Sequence, residues 1–110
     1  MAYDEALADR VRELISARPN VSERKMFGGI AFMVAGNMAV GVRAEDLLVR
    51  LSEEDAQKAL TEDGVRPFEM GSRRQPKGWV LVSPERLANE SSFSEWVDTG
   101  ADYAASLPAK

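Results

Sequence analysis

The chain has 110 residues, 45% of them hydrophobic, with a formal net charge of −4 and neither cysteine nor histidine. That length suits a single domain, while the missing thiols and imidazoles exclude disulfides, thiolate metal sites, zinc chemistry and the usual nucleophilic triads. No run approaches the roughly 18 apolar residues of a membrane span, and Met1-Ala2-Tyr3-Asp4-Glu5 is acidic where a signal peptide is basic, so a cytoplasmic protein is expected.

Asp4 and Glu5 open a predicted helix in which Leu7, Val11, Leu14 and Ile15 recur on one stripe, ended by Pro19-Asn20. Val21 to Phe27 reads as a strand, and its polar centre, Ser22-Glu23-Arg24-Lys25, suggests a sheet edge. Gly28-Gly29 then marks a bulge or sharp bend. A phosphate-cradling loop is the sharper reading, but such loops open a helix, and here a strand pattern follows.

Ile30, Phe32 and Val34 alternate with Ala31 and Met33; Met38, Val40 and Val42 alternate with Ala39, Gly41 and Arg43. Gly36-Asn37 supplies a tight turn between these strands, and a third, Leu47 to Leu51, follows the polar Arg43-Ala44-Glu45-Asp46. Turns this short imply antiparallel pairing. Period two then predicts one core face of Ile30, Phe32, Val34, Met38, Val40, Val42, Leu47, Val49 and Leu51. The opposite face would carry Ala31, Met33, Ala39, Gly41, Arg43, Leu48 and Arg50.

Ser52 with Glu53-Glu54-Asp55 forms a capping box for a short helix whose C′ residue is expected at Gly64. Val65 to Met70 is a strand restricted by Pro67 to an edge or irregular position, whereas Trp79-Val80-Leu81-Val82 is apolar on both faces and belongs deep in the sheet. Ser83-Pro84 starts a helical turn. Ser92-Phe93-Ser94-Glu95 reads as the capping box of a last helix that buries Phe93, Trp96, Val97, Gly100, Ala104 and Leu107 and stops at Pro108. Glycine on that buried stripe sacrifices about 1 kcal/mol of helix propensity, so close approach to the sheet is expected at Gly100. The elements add up to a two-layer α+β domain with an antiparallel sheet of about five to six strands, helices on one face, and the order α-β(3-4)-α-β(2)-α.

Acid concentrates in residues 44–64 and 87–110, and base in 21–43 and 65–86. The loop before Trp79 holds Arg73, Arg74 and Lys77 without an acid; with Lys25 these are the candidates for a nucleic-acid or anion contact. So small a footprint is more simply read as a solvated hairpin loop. The second sheet face, represented by Met33, Ala39, Gly41, Arg43, Leu48 and Arg50, is the candidate dimer or partner surface. Carboxylates such as Glu23, Glu45, Asp46, Glu69 and Glu85 are scattered along the sequence, and Glu53-Glu54-Asp55 suit a helix N-terminus better than a catalytic dyad. No strand, glycine-rich loop and helix unit for a nucleotide cofactor is present. Neither cofactor nor metal is therefore expected.

Lys25-Met26-Phe27-Gly28-Gly29, the Gly36-Asn37-Met38 turn, Gly64-Val65-Arg66-Pro67-Phe68-Glu69-Met70, Lys77-Gly78-Trp79-Val80 and the terminal Tyr103-Ala104-Ala105-Ser106-Leu107-Pro108 together resemble the N-terminal domain of the TfoX/Sxy family, along nearly the whole chain. The resemblance implies a fold similar to that of secretion chaperones. It also implies a non-enzymatic regulatory module, because two-domain members are bacterial competence regulators acting as coactivators at promoters. A chain ending at Lys110 would lack their second domain. The expected partners are a second copy of the chain and a transcription-regulator protein; direct nucleic-acid contact is the alternative, and a membrane is not expected.

Overall fold

The computed structural model describes residues 3–26, 28–68 and 78–109. Its elements run α1 (Glu5–Ile15), β1 (Val21–Met26), β2 (Gly29–Val34), β3 (Asn37–Arg43), β4 (Asp46–Arg50), α2 (Glu53–Ala59), β5 (Val65–Pro67), β6 (Trp79–Val82), α3 (Pro84–Leu87) and α4 (Glu90–Ser106). The six strands form one antiparallel sheet in the order β1-β2-β3-β4-β6-β5. Pro67 keeps short β5 at an edge, and β6 lies inside the sheet, as its two apolar faces require.

The main core lies between the sheet and the helices. Leu7, Val11 and Ile15 of α1 and Phe93, Val97, Ala101 and Ala104 of α4 pack on Ile30, Phe32, Val34, Val40, Val42, Leu47, Val49, Val80 and Val82. Gly100 is the closest approach: a Cβ there would stand 2.6 Å from the Ala39 carbonyl oxygen and 2.7 Å from Val40 Cγ1. The glycine expected to admit the sheet does so.

The β2–β3 hairpin departs from the predicted register. Its turn is Ala35-Gly36, with φ of 50° and 82°, and Val34 pairs with Asn37. Two positive φ values give the turn the twist of the flanking strands, so Asn37 is the first residue of β3. Asn37 is 2% exposed, and its Nδ2 donates to the Pro108 carbonyl at 2.9 Å, fastening the C-terminal end to the hairpin. A β-bulge then corrects the register: Met33 faces Met38, Phe32 faces Val40, and Ala39 is the extra residue. Met38 and Ala39 consequently exchange sides relative to expectation. Ala39 joins the helix-side core beside Gly100, and Met38 joins the opposite cluster.

Three smaller findings concern ends. Met26 pairs with Gly29 and Gly28 has φ of 74°, so of the two expectations for Gly28-Gly29 the sharp bend holds, and the bulge lies at Ala39. Helix α2 takes Ser52 as its cap but ends at Leu60; Gly64, at φ of 81°, belongs to the turn into β5. Helix α4 begins earlier than its expected capping box, because Asn89 accepts a hydrogen bond from the Ser92 amide and caps it.

Candidate interaction face

On the helix side, the arginines hold carboxylates. Arg10 donates to Glu90 at 2.8 Å, Arg18 reaches Asp102 at 2.8 Å and Asp98 at 3.5 Å, and Arg86 meets Glu62 at 2.7 Å. Arg12 holds Glu23 with Nε at 2.6 Å and Nη2 at 2.8 Å and also pairs with Asp9. Hydrogen bonding to Arg12 holds the Glu23 carboxyl below its ordinary range, and the same bond raises the Arg12 guanidinium above its own. This fork ties α1 to β1, whose residues from Ser22 onward are exposed. The open hollow beside it, about 490 Å³, is lined by Arg12, Ile15, Arg18, Asn20 and Glu23, whose charges are already paired.

The other sheet face is built in cross-strand rows. Register aligns Arg24, Ala31, Gly41, Leu48, Leu81 and Arg66 from one edge to the other. A flanking row carries Ser22, Met33 and Met38, and at the end of β4 Arg50 pairs with Trp79 of β6. Beyond Pro67, the Phe68 amide donates to the Trp79 carbonyl, and the Phe68 ring packs with Ala31, Met38, Leu48 and Leu81 as a second apolar cluster. The middle of this face is therefore covered by the chain itself: Ala31 and Leu48 are 0% exposed. Met33, Arg43, Arg50 and Trp79 are half-buried, and Arg24 and Met26 are exposed.

The arginines here lie over rings. The Arg43 guanidinium carbon is 5.4 Å from the Phe68 ring centre. That of Arg50 is 5.2 Å from Trp79 and 5.8 Å from Tyr103, because Arg50 ends β4 where the sheet margin meets the C-terminal half of α4. Such cation–π contacts contribute about 0.5–2 kcal/mol, and at Arg50 they leave the in-plane N–H groups able to donate. Arg66 pairs with Asp46 at 2.6 Å.

Among the residues expected on a partner face, Met33, Gly41, Arg43, Leu48 and Arg50 share this side, while Ala39 lies in the helix-side core. Lys25 pairs with Ile30 and so belongs to the helix side, away from Arg43 and Arg50. Arg73, Arg74 and Lys77 lie outside the described residues. Reasoning from sequence missed Arg24, Phe68 and Tyr103. Strand parity counted back from the β1–β2 turn could have placed Arg24, but nothing local marks Tyr103 as a neighbour of Arg50.

An antiparallel sheet with helices on one side and an arginine-rimmed second side defines a two-layer α+β domain. Residues 13–104 match the family model of the TfoX N-terminal domain, and the chain belongs to that family. No curated protein and no solved structure matches it. Among the described residues, no group of three or more acidic side chains is placed to hold a metal ion, and no helix is long and apolar enough to cross a membrane.

Proposed function

We propose that this chain is a non-enzymatic, regulatory protein-interaction module, working in the cytoplasm and engaging a transcription-regulator protein through the arginine-rimmed sheet face. The match to the TfoX N-terminal domain over residues 13–104 carries the reading. The disposition of charge supports it. Of the carboxylates considered as acids or bases, Glu23 and Asp46 are occupied in ion pairs with Arg12 and Arg66. The half-buried arginines and Trp79 of the other face have the composition that dominates binding energy at protein interfaces.

A second copy of the chain is the other partner proposed for this face. An isologous contact would bring the Arg24, Arg43 and Arg50 rim against its own equivalent, and Gly41 and Leu48 are already buried, so a foreign acidic partner suits the surface better. Light scattering after gel filtration decides between them: a monomer at all working concentrations removes the homodimer. Fluorescence anisotropy with duplex DNA at low and moderate salt tests the larger reading. Binding is expected to be absent or weak and non-specific. Tight, sequence-dependent binding that an Arg73→Ala/Arg74→Ala/Lys77→Ala variant abolishes would make the chain a nucleic-acid-binding domain instead.

A further inference from the structure

We propose that Arg50, framed by Trp79 and Tyr103, is the docking point for a carboxylate on an acidic, partly apolar segment of the partner protein. The inference rests on the interaction reading above and names the chemistry of that partner. Among the described residues, the helix-side arginines Arg10, Arg12, Arg18 and Arg86 each hold a carboxylate, and Arg66 on the open face holds Asp46. Arg50 holds none. It is half-buried, its guanidinium is fixed 5.2 Å from one ring centre and 5.8 Å from another, and no hydrogen bond or ion pair to it is found among the described residues.

Ring contacts restrict the long side chain in advance, so less rotamer entropy is lost when an anion arrives, and the in-plane N–H fork fits a carboxylate with two parallel bonds. The surroundings extend the match. Met33 and Met38 belong to the same apolar cluster as Trp79, adaptable side chains suited to a residue adjoining the carboxylate. Arg24, exposed on the neighbouring row, adds positive potential.

Carboxylate suits the site better than phosphate of a nucleic acid. The rings a base would stack on already carry the Arg50 guanidinium, and the chain's net charge of −4 repels a long polyanion more than a short acidic segment. A second copy of this chain is disfavoured because its own rim is cationic here.

The test is nitrogen-15 NMR of the full chain titrated with a synthetic peptide of alternating glutamate and leucine. Its glutamine counterpart and a single-stranded oligonucleotide serve as competing probes. The expected result is saturable shifts of the Arg50 Nε and Trp79 indole signals with the glutamate peptide alone. Arg50→Gln should weaken binding by more than about tenfold while the spectrum stays folded, and Arg50→Lys, which keeps the charge without the fork, should fall between. Arg24→Gln should weaken it only slightly. Equal binding of the glutamine peptide, shifts confined to other residues, or undiminished binding in Arg50→Gln would overturn the assignment, as would no binding at all. Oligonucleotide binding in preference to the peptide would overturn the interaction reading itself, so the two failures are distinguishable.

Discussion

The two faces of this sheet are made from the same kind of alternating sequence and end in opposite conditions. On the helix side, Phe32, Val40, Val42, Leu47 and Val49 are fully buried under α1 and α4, and Arg10 and Arg18 are neutralised by acids of α4. On the other side a smaller cluster around Leu48 and Phe68 is closed by the chain's own aromatic side chains, and Arg43 and Arg50 lie over rings. One side therefore carries most of the stability of the fold, and on the other Arg50 is held by ring contacts rather than by a carboxylate among the described residues. A single bulged residue, Ala39, sets which side chains belong to which.

Truncating a buried phenylalanine on each side gives the largest expected effects. Phe93→Ala, 1% exposed in the helix-side core, should destabilise by about 4 kcal/mol in urea unfolding. Phe68→Ala should cost less, about 3 kcal/mol, because the thinner cluster can close over the gap. Equal losses would mean that the open side contributes as much stability as the helix side.

Gly100→Ala tests the contact at the bulge directly. Helix propensity alone favours alanine by about 1 kcal/mol, but the added Cβ would meet the Ala39 carbonyl at 2.6 Å, so a net loss of about 2 kcal/mol is expected. A stabilised variant would show that α4 is free to move off the sheet. Ala35→Asn should act in the opposite direction. Ala35 holds φ of 50°, and the resulting Asn-Gly pair prefers this turn, so thermal unfolding should report a gain of about 1 kcal/mol.

The smallest effect belongs to the Arg12–Glu23 fork. Because its folded-state carboxyl sits below the ordinary range, Glu23 adds stability that is present above the unfolded pKa of about 4.3 and is lost as pH falls through the folded value. Both side chains are more than a third exposed, so solvent screening limits the contribution to less than about 1 kcal/mol. Glu23→Gln should remove that part of the acid dependence while leaving stability near pH 7 little changed.

Much of this contrast was legible in the sequence. Period two placed the strands, the apolar run of Trp79 to Val82 placed β6 inside the sheet, and the unusual glycine on a buried stripe predicted the approach at Gly100. The bulge was not legible, since Met38 and Ala39 are both apolar and either satisfies the alternation. The turn misled for a related reason: Gly36-Asn37 has better turn chemistry than Ala35-Gly36, but the buried Asn37 side chain is held by Pro108 from the far end of the chain. For the candidate site, parity placed Arg43 and Arg50 together. The ring of Tyr103 over Arg50 depends on how α4 crosses the sheet, a tertiary fact that no local pattern encodes.

The proposed division of labour gives Arg18 to the fold, through Asp98 and Asp102, and Arg50 to binding. Matched Arg18→Gln and Arg50→Gln variants test it most directly, with binding of the glutamate-leucine peptide measured for each. The account predicts wild-type binding for Arg18→Gln, with a loss of up to about 1 kcal/mol in stability as Asp98 and Asp102 lose their partner. It predicts more than about tenfold weaker binding for Arg50→Gln. Equal binding by the two variants, or weaker binding in Arg18→Gln alone, would contradict it.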